Sequence, residues 1–442
     1  MNVYEYKNII TSNDKTAVCV WWFNVDQDKQ WDVSESFLLP RVSSMDKKII
    51  YGMEQLLLLL VCADDYVLLR RKPELAIIEN IKKIRNELPQ IIVLDKCEQN
   101  EQISEFILSD TKTISFIKNL TTKSNVYLIP YAVFSVEEEI AEVTGATLIG
   151  PKLELAQWLN SKINSRNIAK RLGFSLTEGY ECCTLEEILN AINSVKGDAN
   201  DINIVLKDAY GSSGNGFFRI KNESDIFLLE FLVKKMGECK RNFNVLVEKW
   251  YENKVDINYQ FFISENSITR MVLSYQYVQD GIYNGTQIIN AESNPGISKI
   301  DEYIKKIGTF LQRCGYRGLC SIDAIWINKE IFIPIIEVNG RFSLSSYISC
   351  LDFGVDKIVV SRYYDVSSKN TLESILQLLK QNKLLYDEKK KEGIIIYSFS
   401  YGDKKNRVFL LCVFTKGSEI EDEISSILKN WCDFPRMIEG DR

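Results

Sequence analysis

Three residues of this chain, Asp323, Glu337 and Asn339, combine the side-chain types and the spacing of a metal site. An apolar run from Ile331 to Ile336 reads as a buried strand and ends in Glu337-Val338-Asn339-Gly340-Arg341. Residues two apart on a strand face the same side, so Glu337 and Asn339 project together, with Arg341 in register behind them if the strand continues. A carboxylate beside a carboxamide oxygen makes a hard-oxygen site suited to Mg²⁺. An arginine next to such a site suits a phosphate or a carboxylate. A second apolar strand, around Ser321 to Ile327, carries one acid, Asp323. The turn Asn328-Lys329-Glu330 joins the two strands as a hairpin and brings Asp323 beside Glu337. Metal-bound nucleotide is the guest this arrangement suits. The plain alternative is a salt bridge to Arg341 or Arg317, because acids at the ends of apolar strands are costly unless paired or metal-bound.

Upstream, a short strand from Ile204 runs into Lys207 and then into Gly211-Ser212-Ser213-Gly214-Asn215-Gly216. Three glycines and two serines permit close backbone approach and a nest of amides for an anion. The loop links strand to strand, and no G-x-x-x-x-G-K-[ST] occurs, so if it binds phosphate it would do so as a flexible flap over a sheet rather than as a P-loop. Turn-residue preference alone favours a plain hairpin by about three to one. Lys162, in Asn160-Ser161-Lys162, reads by itself as a surface lysine on a polar helix. Val247-Glu248-Lys249-Trp250-Tyr251 reads by itself as a strand entering a linker with a buried Trp250.

Composition narrows the chemistry. The chain has 442 residues, enough for two to four domains. Its net charge of −6 offers no broad basic surface for nucleic acid. The longest apolar run, Leu56 to Ala63, is too short to span a bilayer, and MNVYEYKNII lacks the blocks of a signal peptide. Eleven cysteines without a C-x-x-C read as reduced thiols of a cytoplasmic protein. There is no histidine, which excludes Ser-His-Asp and Cys-His catalysis and zinc–histidine sites. Chemistry must run on Asp, Glu, Lys, Arg, Tyr, backbone amides and metal.

The elements that must position these residues follow from periodicity. Residues 1–150 alternate apolar runs (Val18 to Phe23, Leu56 to Cys62, Ile91 to Asp95, Val126 to Tyr131) with helical stretches (Glu74 to Asn86, Val136 to Val143), an open α/β pattern. No G-x-G-x-x-G follows its first strand, so no dinucleotide is assigned. One helix is expected over Leu153 to Leu172, ending at Gly173, with others over Leu185 to Val195, Ser224 to Met236 and Ile300 to Arg313. The tail, 351–442, reads as helix, two strands and helix.

The order of these pieces resembles the ATP-grasp superfamily across residues 150–350: lysine helix, strand-Lys-glycine flap, Val-Glu-Lys connector, Asp strand, Glu-x-Asn strand. The upstream block LIPYAVFSVEEEIAEVTGATLIGP and then NSKINSRNIAKRLGF resembles the junction after a pre-ATP-grasp domain. It is similar to pheganomycin-type peptide ligases and butirosin-type glutamyl-carrier-protein ligases. The resemblance implies an open α/β pre-ATP-grasp domain over 1–150 and an ATP-grasp fold of two α+β subdomains over 151–350. The flap subdomain would cover about 165–245, the metal-binding one about 250–350, with a small α+β region over 351–442.

It also implies roles. Lys162 and Lys207 would hold ATP phosphates, and Gly211, Ser212, Ser213, Gly214 and Gly216 would close on the γ-phosphate. Glu248, Lys249 and Tyr251 would line the adenine edge and Asp256 would meet the ribose. Asp323, Glu337 and Asn339 would ligate Mg²⁺, with Mn²⁺ an acceptable substitute, and Arg341 would steady an acyl phosphate. One branch of the superfamily has an arginine two residues before its first metal acid. Ser321 stands there, so Arg270, Arg317 or Arg341 would have to replace it.

The activity implied is ATP-dependent ligation of a small-molecule or peptide carboxylate to an amine or to an acyl-carrier-protein thiol, with release of ADP and phosphate. No nucleic acid or membrane is implied, and a homodimer is compatible with the resemblance. A bicarbonate-using carboxylase is the second enzyme reading, weakened because no Met-Lys-Met biotin-carrier core is present. A nucleotide-binding scaffold that kept the fold is the third.

Overall fold

The computed structural model describes residues 1–25, 31, 39, 47–98, 101–196, 202–211, 216–237, 243–279, 281–289, 297–328 and 330–429. Three sheets carry the described residues. The first is five-stranded: β1 (Ala17–Trp22), β2 (Tyr66–Leu69), β3 (Gln90–Val93), β4 (Asn125–Pro130) and β5 (Thr147–Leu148), in the order β3-β2-β1-β4-β5. All its pairings are parallel, as short apolar strands covered on both faces require. Alternate residues of β1 split between two cores. Val20 and Trp22 pack with Ile103, Ile107, Ile117 and Ile140. Cys19 and Trp21, with Phe23 just beyond, belong to a core shared with Phe342, Tyr347 and the strands near the C-terminus. The apolar run at Leu56 forms part of a 3₁₀ segment, Gly52–Leu59, whose buried Glu54 pairs with Arg70 at 3.0 Å.

A four-stranded antiparallel sheet follows: β6 (Gly179–Cys182), β7 (Ile204–Asp208), β8 (Phe217–Ile220) and β9 (Val245–Lys249), in the order β6-β9-β7-β8. β7 carries Lys207, and β9 ends in Glu248 and Lys249.

The third sheet has eight strands. They are β10 (Lys254–Ile263), β11 (Ile268–Gln279), β12 (Ile282–Ile288), β13 (Gly318–Ile327), β14 (Ile331–Asn339), β15 (Lys357–Ser367), β16 (Gly393–Ser400) and β17 (Lys405–Thr415). Their order is β14-β13-β10-β11-β12-β15-β17-β16, so the last three strands among the described residues extend the sheet that holds the acids. The helix Ile297–Arg313 covers one face, burying Ile300, Ile304, Ile307 and Leu311 at helical spacing. No helix among the described residues is long and apolar enough to cross a membrane.

The single helix expected over Leu153 to Leu172 is two: α1 (Leu153–Leu159) and α2 (Lys162–Arg171). Ser161 breaks it. Its backbone is extended (φ −81°, ψ 125°) and its side chain caps the Asn164 amide. Lys162 is therefore the first residue of α2, not a mid-helix residue.

Candidate active site

Strands β13 and β14 meet antiparallel with Asp323 opposite Glu337 and Ser321 opposite Asn339. The hairpin brings the two acids together as expected. β14 stops at Asn339, so Arg341 lies in the bend beyond it, not in strand register. Asp323 Oδ1 accepts from Asn258 at 2.8 Å and Gln276 at 3.0 Å, and Oδ2 accepts from Asn339 at 3.2 Å. Burial and the neighbouring Glu337 charge push the Asp323 carboxyl up to about 6, against the pull of those donors and of Arg341.

The two lysines converge from opposite sides. Lys162 Nζ donates to Glu337 Oε1 at 3.1 Å and to the Gly211 carbonyl at 2.6 Å. Lys207 Nζ donates to Glu248 Oε2 at 2.9 Å. Glu248 is 5 % exposed, and its other oxygen takes Arg166 at 2.9 Å and the Thr177 hydroxyl. Burial alone would raise its pKa, but Lys207, Thr177 and Arg166 outweigh it and hold the carboxyl below its ordinary range.

One cleft of about 1750 Å³ collects these groups. Lys162, Lys207, Gly211, Gly216, Asp323, Glu337, Asn339 and Arg341 line it, as do Lys249, Tyr251 and Asp256 further along. The Glu248 side chain turns into the protein and braces Lys207. Asp256 is paired with Lys254. Gly211 and Gly216 hold positive φ of 151° and 68°, and the Asp208 amide donates to the Gly216 carbonyl at 2.8 Å, closing the base of that loop. Ser212, Ser213 and Gly214 fall outside the described residues.

Of the three arginines considered beside Ser321, only Arg341 faces the cleft. Arg270 forks onto Asp301 at 2.7 and 2.8 Å, and Arg317 donates to the Gln312 and Tyr316 carbonyls. The salt bridge weighed between Arg317 and the acids is therefore not the arrangement found. Trp250 is half-buried rather than buried, under the Arg219 guanidinium at 4.3 Å.

Several residues here escaped the sequence reading. The Gln260 amide donates to Asn258, Ser343 and Ser345 at 2.7–2.8 Å and accepts from Ser346, forming a buried polar floor under Asp323. The alternation Asp256, Asn258, Gln260 on an otherwise apolar strand was the available signal. Tyr131, just beyond the end of β4, accepts from Arg341 at 2.7 Å. Asp365 and Arg407, from the last strands, also reach the cleft. Nothing local in the sequence marks these three.

Residues 161–373 match the family described as carbamoyl-phosphate synthase L chain, ATP binding domain. The chain is 29% identical over 335 residues to the [butirosin acyl-carrier protein]–L-glutamate ligase of Niallia circulans, covering 74% of this chain and 73% of that one. In both comparisons the chain is similar to ATP-grasp enzymes. Solved ATP-grasp structures share the fold. N5-carboxyaminoimidazole synthetase from Staphylococcus aureus superposes with a TM-score of 0.53 at 13% identity, over 97% of this chain and 98% of its own. The biotin carboxylase domain of Hydrogenobacter thermophilus 2-oxoglutarate carboxylase gives 0.51 at 13%, over 96% and 94%.

Proposed function

We propose that this ATP-grasp ligase activates the carboxylate of an amino acid or peptide as an acyl phosphate and passes the acyl group to an amine or to a carrier-protein thiol. The observation that carries this reading is the convergence, in one cleft, of the Asp323–Glu337 pair, Lys162, Lys207 and Arg341. Similarity to a carrier-protein glutamate ligase supports glutamate as the acid and a carrier thiol as the acceptor.

The donor set fits a hard cation. Asp323 lies across from Glu337 and takes the Asn339 amide at 3.2 Å, and a half-buried Asp323 pushed up to about 6 beside a second acid gains from a positive charge there. Held by Asp323, Glu337 and Asn339, Mg²⁺ would supply charge to the phosphate oxygens of ATP, and Mn²⁺ could replace it. Lys162 and Lys207 would flank those phosphates, with Gly211 to Gly216 over them. Lys249 and Tyr251 would border the adenine, with Glu248 contributing by its backbone alone, and Asp256 would meet the ribose.

A carboxylate oxygen of the acid attacks the γ-phosphorus, the bond to the β-phosphate oxygen breaks, and ADP leaves. Arg341 meets charge that develops on the transferring group. The amine nitrogen or thiolate sulfur then attacks the acyl carbon and phosphate leaves. Every step runs on positioning and electrostatics, without histidine.

We divide the chain into a pre-ATP-grasp unit (1–150), the ATP-grasp unit (151–350) and a C-terminal region (351–442). Nine free cysteines among the described residues suit the cytoplasm, where thiols stay reduced. A homodimer is part of the proposal, which sedimentation would test. The enzymatic test is acid-dependent ADP release, with hydroxylamine trapping the intermediate as a hydroxamate. Bicarbonate-dependent ADP release would favour the carboxylase reading instead, and AMP with pyrophosphate would exclude the ATP-grasp mechanism.

A further inference from the structure

Elsewhere on the cleft wall, β15 and β17 place Asp365 directly across from Arg407. Arg407 Nε and one terminal nitrogen donate to the two Asp365 oxygens at 2.7 and 3.1 Å, a bidentate fork. The guanidinium also lies over the Tyr363 ring at 4.2 Å, and Tyr363 is itself tied by its hydroxyl to the Tyr283 carbonyl at 2.6 Å. Arg407 is thus fixed on both its edge and its face, and it is 6 % exposed. Its other terminal nitrogen, Nη1, has no partner among the described residues, although Arg407 lines the cleft.

Lys405 also reaches Asp365. Two cations therefore share one acid, which leaves a positive surplus on the wall of a chain whose net charge is −6. Asp365 stays ionised in this company: burial opposes it, but Arg407 and Lys405 hold its carboxyl below the ordinary range.

This wall and the acid end share one face of the eight-stranded sheet. Asp323 lies across from Asn258 and Asn258 across from Ser274. Gln276, two residues on, lies across from Thr286, and Thr286 from Ser361. Asp365 is four residues beyond Ser361, an even step, so all of these project to the same side.

We infer that Arg407 and Lys405, oriented by Asp365 and Tyr363, form an anion-binding site for a second, non-reacting acidic group of the carboxylate substrate. The inference rests on the ligase reading for which end of the substrate reacts. A pre-oriented guanidinium with free N–H groups suits a carboxylate, and it offers nothing comparable to a neutral amide. The site would therefore select diacids over their monoacid counterparts.

The test is calorimetric binding, with a non-hydrolysable ATP analogue present, of L-glutamate and L-alanyl-L-glutamate against L-glutamine and L-alanyl-L-glutamine. In the unmutated protein the acidic member of at least one pair should bind more tightly than its amide. Arg407→Gln should weaken that acidic probe ~10-fold or more, the scale of one lost hydrogen bond to a charged group, and change its amide less than about twofold. Affinity for the nucleotide analogue should not move. Lys405→Gln, on a half-exposed side chain, should weaken the same probe to a smaller degree and carries the test if Arg407→Gln does not fold. Failure of every acidic probe to bind, or unchanged affinity in both variants, overturns the site. Binding that behaves as expected without any acid-dependent ADP release would instead sink the ligase reading and leave the site standing.

Discussion

Arg341 is held by Tyr131, a residue 210 positions away in the chain: the guanidinium donates to the phenol oxygen at 2.7 Å and lies 5.3 Å from the ring centre. Tyr131 follows β4 of the parallel sheet and Arg341 follows β14 of the large one, so the first sheet helps to aim a side chain of the third. Tyr131→Phe should lower acid-dependent ADP release about tenfold, the scale of one lost hydrogen bond to a charge, with ATP affinity unchanged. Arg341→Ala should lower it ~10²-fold or more, the usual loss for one transition-state donor. Steady-state kinetics with an independent nucleotide-binding measurement checks both, and full activity in Tyr131→Phe would remove Tyr131 from this role.

Glu337→Gln should abolish ADP formation while leaving the fold intact. The substitution keeps the shape of β14 but removes a charge that both Lys162 and the proposed metal use. Circular dichroism establishes the fold and an ADP-coupled assay the activity. Turnover at the unmutated rate would dismiss the metal assignment.

Glu248→Gln should be costly to stability as well as to function. Arg166 and Lys207 would then face a neutral amide inside the protein, and breaking a buried ion pair costs about 3–5 kcal/mol. Denaturant unfolding should show a lower midpoint, and the KM for ATP should rise because Lys207 loses its brace. An unchanged midpoint would mean that the charges are relieved by water.

Glu137 gives the chain a pH signature away from the cleft. It is fully buried, accepts from Asn24 and the Phe134 amide at 2.8 Å each, and burial pushes its carboxyl up to about 7 despite the Ser104 hydroxyl and those donors. A carboxyl raised in the folded state contributes stability that is complete below its unfolded value, ~4.3, and lost as pH rises through about 7. The melting temperature of Glu137→Gln relative to the unmutated protein should therefore improve between pH 5 and pH 8. A difference that stays constant with pH would show that Glu137 titrates normally.

The sequence yielded the acid hairpin because its signals are local. Alternation on β14 sets Glu337 and Asn339 on one face, and a short turn fixes Asp323 opposite. The break at Ser161 was hidden because Asn160 and Ser161 sit inside a continuous apolar periodicity, and a cap is recognised only once the backbone turns. Tyr131, Asp365 and Arg407 were invisible for a different reason. Each reaches the cleft only because sheets formed by distant segments pack together, and no period or motif encodes that. Arg270 and Arg317 looked as eligible as Arg341 until Asp301 and the end of the helix Ile297–Arg313 were seen to hold them elsewhere.

The Lys162–Glu337 contact, at 3.1 Å, also bears on how the molecule comes into being. An internal ammonium already answers the Glu337 charge as soon as α2 docks against β14. Biosynthesis need not wait for an ion to gather the strands, as it must in small domains that fold around their metal. On the proposed magnesium assignment, folding and ion binding are separate events, and cells grown with magnesium scarce should accumulate this protein folded and merely idle.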